Sequence, residues 1–248
     1  IKNKNMSLQS KSEDYWKNTI SVQKRKKSYF DNYFNDKISK KSLDFRTNKM
    51  LDHVSNIDSI LDIGCGYGAF LYNLHQLNPN IKLSGIDISK EAIEFCRKNL
   101  PNSSFINDKF SNILKHFKEN TYDVIYTSGV MIHQSPDIID DLLDSFIKIG
   151  TKYIVHFEDI GNDELISGKK EYNPSWRESD QFLWKNNLVK RYQEKGCSFT
   201  FQSNVPKELR GIGFTNYMVV DLQNSFFDKQ DNKELDNIYT TKEKLWEN

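Results

Sequence analysis

The stretch Leu61-Asp62-Ile63-Gly64-Cys65-Gly66-Tyr67-Gly68-Ala69-Phe70 constrains the fold more than any other part of this chain. A short apolar run carrying one acid leads into three alternate glycines, and a helix-like apolar pattern follows. Such a run reads as a buried strand that enters a tight turn, with a helix opening directly after it. Glycine brings the backbone close to a ligand because no Cβ intervenes. The helix start adds free N–H donors and a partial positive charge. The stretch is therefore a ligand cradle.

The chain has 248 residues, 37% of them hydrophobic and 13% aromatic, enough for one α/β domain with extensions. Cys65, Cys96 and Cys197 are widely spaced and form no C-x-x-C pair. No metal site or disulfide framework is expected, and a reducing cytoplasm is the expected compartment. No apolar run approaches the ~18 residues of a membrane span, and the lysine-rich start lacks the apolar segment of a secretory signal. Net charge is +1, so charge gives no global argument for nucleic acid. It is unevenly spread, however. Residues 1–41 hold eleven Lys/Arg against four Asp/Glu, including Lys24-Arg25-Lys26-Lys27. Such an arm suits either a solvated helix face or a polyanion.

Taken in order, helices are expected over Ser12–Phe34 and Leu43–Val54, ahead of any strand. Strand–helix alternation then begins. Strands are expected at Ser59–Ile63, Lys82–Asp87, Ser103–Ile106, Tyr122–Ser128 and Tyr153–Phe157, with helices at Ala69–Leu77, Lys90–Asn99 and Pro136–Ile149. Repeated units of this length imply a parallel sheet. Gly161–Ser179 is irregular and too long for a plain connector. A helix is expected over Asp180–Lys195, closed by Gly196. Cys197–Val205 and Tyr217–Leu222 follow with no room for a crossover helix and should pair antiparallel. The expected division is a helical extension or lid over 1–42, an α/β domain over 43–223 and a polar tail over 224–248.

Gly64-x-Gly66-x-x-Ala69, with Asp87 eighteen residues beyond Ala69, satisfies the permissive dinucleotide fingerprint. S-adenosylmethionine fits the same loop. Three features favour it. Asp62, at the strand end, repels a pyrophosphate but suits a ligand with sulfonium and ammonium groups. Asp108, just past the third strand, can accept a hydrogen bond from an adenine amino group. The chain also ends in an antiparallel pair without a second substrate domain, and no Tyr-x-x-x-Lys pair follows the loop.

On these residues the chain resembles the class I S-adenosylmethionine-dependent methyltransferases. Leu61–Gly68 and Gly85-Ile86-Asp87-Ile88-Ser89 resemble their first two motifs. Tyr122–Tyr126, running into Ser128–His133, is similar to their fourth-strand motif. The resemblance implies a Rossmann-like α/β fold: a seven-stranded, mostly parallel sheet with helices on both faces and the last strand antiparallel, here with an N-terminal helical extension. It implies that Asp62, Gly64 and Gly66 line the methionine part of S-adenosyl-L-methionine, with Cys65 between the two glycines also counted among the cofactor-binding residues. Asp87 would bind the ribose hydroxyls, Ile88 the adenine face, Asn107 and Asp108 the adenine edge, and Ser128 and Gly129 the region near the sulfonium.

Methyl transfer from a sulfonium is an in-line displacement, so the protein contributes mainly positioning and a water-poor pocket. His133, just past the fourth strand, is the candidate general base. Glu158 is a second catalytic candidate at the rim of the fifth strand. Tyr15, Trp16, His156 and Trp176 are candidates for contact with the acceptor. The fourth-strand motif lacks the Asn/Asp-Pro-Pro-aromatic signature associated with base-amine methylation, and no cysteine is placed for cytosine C5 chemistry. The expected acceptor is thus an O or N atom of a small molecule, with nucleic acid and membrane disfavoured as partners and oligomeric state open. Alternatives are an RNA methyltransferase or RNA-binding protein using the basic arm, and a non-catalytic cofactor-binding partner.

Overall fold

The central strands are buried almost throughout, so the sheet is covered on both faces, and successive strand residues point to one core or the other. The structure, a computed structural model, describes residues 8–18, 37–165, 183–203, 205 and 216–225. Helices α1 (Leu8–Asn18) and α2 (Lys37–Leu51) precede strand β1 (Ser59–Ile63). Then follow α3 (Ala69–Leu77), β2 (Lys82–Asp87), α4 (Lys90–Asn99), β3 (Ser104–Asn107), the short α5 (Ile113–His116), β4 (Tyr122–Ser128), α6 (Pro136–Ile149) and β5 (Gly150–Glu158). The two-residue strands β6 (Glu164–Leu165) and β7 (Trp184–Lys185), then α7 (Leu188–Glu194), β8 (Ser198–Ser203) and β9 (Asn216–Asp221), complete the described α-helices and strands.

Seven strands form one sheet in the order β3-β2-β1-β4-β5-β9-β8. The pairs among β1 to β5 are parallel, whereas β9 runs antiparallel to both β5 and β8. Ile60, Leu83, Val124 and Val155 join a core cluster with Leu43 and Met50 of α2, Leu71 of α3 and Ile93 of α4. Their neighbours Leu61, Ile86, Ile125 and Ile154 join a second cluster with Leu142 and Phe146 of α6 and Tyr192 of α7. Fully burying each of these side chains stabilises the fold by about 1.5–3 kcal/mol, so a one-residue slip of any central strand would exchange two cores at once.

Helix boundaries follow capping chemistry. Ser89 accepts the Ala92 N–H at the start of α4, and Pro136 occupies the first turn of α6 behind Ser135. The expected helix over Asp180–Lys195 is corrected. Trp184–Lys185 pairs with Glu164–Leu165 instead, and the helix starts only at Leu188, where the Asn187 side chain accepts the Lys190 N–H. The first helix begins earlier than expected, at Leu8, and its expected continuation over 19–34 lies outside the described residues, as do residues 24–27, most of 161–179 and the tail beyond 225. Because α2 begins at Lys37, the expected boundary at residue 42 falls inside a helix. No described helix is long and apolar enough to cross a membrane.

The strand order reverses between β1 and β4, with β2 on one side and β5 on the other. In a parallel sheet a crevice opens beyond the strand ends at that switch point. The carboxyl ends of β1, β2 and β4 carry the glycine loop, Asp87 and Ser128.

Candidate active site

The glycine loop leaves β1 with three left-handed residues, Gly64 (φ 73°), Gly66 (φ 50°) and Gly68 (φ 74°). Two of them are also hemmed in. A Cβ on Gly64 would lie 2.3 Å from Val130 Cγ2, and one on Gly68 would lie 2.9 Å from Cys96 Sγ. A Cβ on Gly66 would meet nothing within 4 Å. Its backbone faces open space, as a cradle for a ligand requires.

That space is a cavity of about 180 Å³. One wall is built by the glycine loop, the end of β2 and the start of α4: Gly64, Gly66, Tyr67, Asp87, Ile88, Ser89 and Ala92. Ser128, Gly129, Val130 and His133, at and beyond the end of β4, form the opposite wall, and Lys109, Phe110 and Ser111 close one end. Helix α1 covers the mouth with Gln9, Ser12, Glu13 and Trp16. It is tied to both sides. Gln9 accepts the Ser135 N–H at 2.8 Å, and Ser12 Oγ donates to the His133 carbonyl at 3.1 Å. Glu13 pairs with Lys109 at 3.7 Å. Trp16 packs edge-on to the His133 ring at 4.6 Å and joins Tyr67, Ala92 and Phe95 in a small apolar cluster.

Asp87 organises the glycine-loop wall. Its carboxylate accepts the Gly66 N–H at 2.9 Å and the Ser89 N–H at 2.8 Å, which fixes the loop against the start of α4. Burial raises its pKa, and the N–H donors of Ser89, Gly66 and Ile88 oppose the rise. A carboxylate has about four acceptor positions, so capacity for a ligand's hydroxyls is left.

A second, smaller cavity of about 70 Å³ adjoins the first and shares Gly64, Gly66 and Ser128 with it. Asp62, 4% exposed, lines it together with Cys65, Tyr126 and Arg46. Burial drives the Asp62 carboxyl well above its usual range, the Asp87 charge adds to this, and the Arg46 charge opposes it. A carboxylate so placed gains most from a cationic ligand group.

Of the residues singled out from sequence, Asp62, Gly64, Cys65, Gly66, Asp87, Ile88, Ser128, Gly129, Trp16 and His133 line one or other cavity. Four do not. Asn107 donates to the Asp87 and Ile88 carbonyls at 3.0 and 2.9 Å and shapes the turn behind the cavity. Asp108 is occupied by Asn112, His116 and the Lys109 N–H; these bonds outweigh its slight burial and hold its carboxyl at about 2. His156 is fully buried among Thr127 Oγ1 (2.7 Å), Tyr192 OH (2.8 Å) and Phe146, and burial lowers its pKa to about 3. Glu158, also fully buried, accepts the Val130 N–H on both oxygens at 3.0 and 3.1 Å. It braces the turn that forms the cavity wall and does not reach the cavity. Tyr15 belongs to α1, but its side chain and the whole of Trp176 lie outside the described residues.

Cys65 is kept protonated by its hydrogen bond with Cys96 and by burial, which leaves it without nucleophilic character. Sequence reasoning missed Arg46 and the α1 residues Gln9, Ser12 and Glu13. Arg46 left a signal, since it lies three residues after Leu43 and four before Met50, on the apolar stripe of its helix. The α1 contacts left none, because they depend on how a distant helix docks.

The fold aligns with magnesium protoporphyrin IX methyltransferase from Synechocystis PCC 6803 with bound SAM, at a TM-score of 0.59 and 12% identity, over 89% of this chain and 99% of that one. It also aligns with the plantazolicin methyltransferase BpumL in complex with SAH, at a TM-score of 0.56 and 20% identity, over 86% and 96%. These likenesses are of fold. In sequence, the chain is 27% identical over 149 residues to malonyl-[acyl-carrier protein] O-methyltransferase 2 of Ilyobacter polytropus, covering 58% of this chain and 57% of that protein. It is 33% identical over 111 residues to ribosomal RNA large subunit methyltransferase G of Vibrio parahaemolyticus, covering 42% and 29%. The chain thus spans about half or less of these two curated relatives. The family described as "Methyltransferase domain" matches residues 55–196, more than half of the chain, and the chain belongs to that family.

Proposed function

We propose that this chain is an S-adenosyl-L-methionine-dependent methyltransferase acting on an O or N atom of a small molecule. The observation that carries the reading is the pair of carboxylates, buried Asp62 and half-buried Asp87, set on either side of a glycine loop whose open face has room for a ligand. A dinucleotide would bring its pyrophosphate to Asp62. S-adenosylmethionine brings cationic groups there, and the bound SAM and SAH of the structural neighbours support the same choice.

When bound, S-adenosylmethionine supplies a methyl group on a sulfonium, already activated for displacement. The residues of this chain do the rest. Asp87 holds the ribose hydroxyls and Ile88 covers the adenine. Gly64 and Gly66 admit the ligand to the loop backbone. Ser128 and Gly129 line the wall between donor and acceptor. His133 faces the cavity at the acceptor side and takes the proton that a hydroxyl or amine acceptor must lose. Helix α1 excludes water above it. A cavity roofed by a helix tied to both rims suits a small acceptor better than a structured RNA.

Incubating the full chain with methyl-labelled S-adenosylmethionine and either metabolite extracts or total RNA tests this reading. Label in the small-molecule fraction is expected. Label confined to RNA would transfer the assignment to the basic arm, and transfer to no fraction would leave a cofactor-binding partner. Asp87→Ala should abolish transfer, because the ribose diol loses hydrogen bonds to a charged group.

A further inference from the structure

His133 stands in a single 3-10 turn, Met131–His133, whose own hydrogen bonds are few. The His133 N–H donates to the Val130 carbonyl at 3.0 Å and the Gln134 N–H to the Met131 carbonyl at 3.1 Å. So short a turn does not fix a side chain by itself, because its end groups lack helical partners. Asn186 supplies what is missing. Its Nδ2 donates to the Met131 carbonyl at 2.8 Å and to the Gln134 carbonyl at 3.0 Å, so one amide spans the turn and brackets His133.

Asn186 is 1% exposed and follows directly on β7, 55 residues beyond Met131. Its backbone is anchored separately. The Asn186 carbonyl accepts the Gly161 N–H at 3.2 Å and the Leu188 N–H at 3.0 Å, and the residue forms an isolated parallel bridge with Ile160. The β6–β7 pair stands outside the seven-stranded sheet, so Asn186 is its link to the cavity wall. The Asn186 Oδ1 has no hydrogen-bond partner among the described residues. Turning the amide over would set that oxygen against two carbonyls, so the bonds fix its orientation. An apolar residue would fill the same space without burying an unpaired oxygen. What the amide adds is its two donors, and both act on the turn that carries His133.

We propose that Asn186 is a positioning residue for methyl transfer, which clamps the turn so that His133 stays at the acceptor side of the cavity and which ties the β6–β7 pair to the reacting groups. This rests on the methyltransferase reading, in which His133 takes the acceptor's proton. Asn186 lines neither cavity, so it acts only through the turn. Glu158 holds the Val130 N–H at the entry to the turn, and Ser12 of α1 holds the His133 carbonyl. Of these ties, that of Asn186 reaches both sides of His133.

Two measurements on the full chain test the clamp. The first is nuclear magnetic resonance of the His133 imidazole C–H groups, identified by their loss in His133→Gln. In wild-type protein the Trp16 ring should displace these resonances, and Asn186→Leu should return them toward those of an exposed histidine. The second is the rate of label transfer from saturating S-adenosylmethionine into the small-molecule fraction. Asn186→Leu, which keeps the volume and removes both donors, should lower that rate about 10- to 100-fold, as for a reacting group misplaced by about 1 Å. Calorimetric affinity for S-adenosylhomocysteine should stay within about twofold, because Asn186 lies outside both cavities. Asn186→Ala should behave alike, and it serves in place of Asn186→Leu if the larger side chain prevents folding. Unmoved His133 resonances, a wild-type rate in Asn186→Leu, or an equal loss of S-adenosylhomocysteine affinity and rate would overturn the clamp. If wild-type protein transfers no label, the methyl-transfer reading fails, and the resonances still decide whether Asn186 places His133.

Discussion

Glu158 and His156 sit two residues apart on β5, fully buried, and titrate in opposite senses. Burial raises the Glu158 carboxyl from 4.5 to about 7, against hydrogen bonds from Val130, Thr127 and Met131. Between those values the folded chain binds more protons than the unfolded one, so this contribution to stability is lost as pH rises through the window, by about 3 kcal/mol at its end. Glu158→Gln removes the titration. Urea unfolding should show the variant gaining on wild type by about 3 kcal/mol between pH 5 and pH 8, and a constant difference would mean that Glu158 stays ionised throughout. His156 is held neutral, lowered from 6.5 to about 3, so the unfolded chain binds more protons below 6.5. Acidifying from pH 7 to pH 5 should cost about 2 kcal/mol through this residue, a loss that His156→Gln should lack. The glycines separate in the same residue-level way. Gly66→Ala enters open space and should cost only the left-handed strain of about 1–2 kcal/mol, yet it should block the cofactor. Gly64→Ala drives a Cβ into Val130 and should destabilise the fold further. Thermal melts with and without S-adenosylhomocysteine distinguish the two.

Elements were legible where a short continuous apolar run marks a strand or a helical period marks a helix. β1, β2, β4 and helices α3, α4 and α6 stand where the apolar pattern and their caps placed them. The helix expected over Asp180–Lys195 failed because Leu183, Trp184, Leu188 and Val189 are all buried, and such spacing does not separate a strand end from a helix start. The helix start is set by Asn187, whose side chain caps it by accepting the Lys190 N–H. In the site, the glycine loop and Asp87 could be read because close backbone approach and a turn restrict residue type. Asp108 could not, since its acid was drawn into a local network with Asn112 and His116 that leaves no trace in spacing. Helix α1 was legible as a helix but not in its docking. Its role gives an element-level expectation: Trp16→Ala breaks the apolar bridge from Tyr67 and Ala92 to His133. Release of bound S-adenosylhomocysteine, followed by stopped flow, should quicken several-fold while the melting temperature of the ligand-free protein changes little.

At the scale of the whole molecule, the sheet sets Asp62 and Asp87 on neighbouring strands, and the two N-terminal helices complete the crevice that these acids flank. Arg46 enters it from α2, and α1 closes it from above. The helices that precede the sheet are thus built into the site. A net charge of +1 gives little electrostatic attraction for nucleic acid, so any RNA binding should depend on the basic run at 24–27. Neutralising that run should leave small-molecule methylation unchanged, as assayed by label transfer at two salt concentrations. The central claim is that the glycine loop and its two acids hold S-adenosylmethionine rather than a dinucleotide. Calorimetric titration of the full chain with S-adenosylhomocysteine and, separately, with NAD tests it directly. The account predicts single-site binding of S-adenosylhomocysteine that disappears in Asp87→Ala, with no heat from NAD. Saturable binding of NAD without binding of S-adenosylhomocysteine would contradict it.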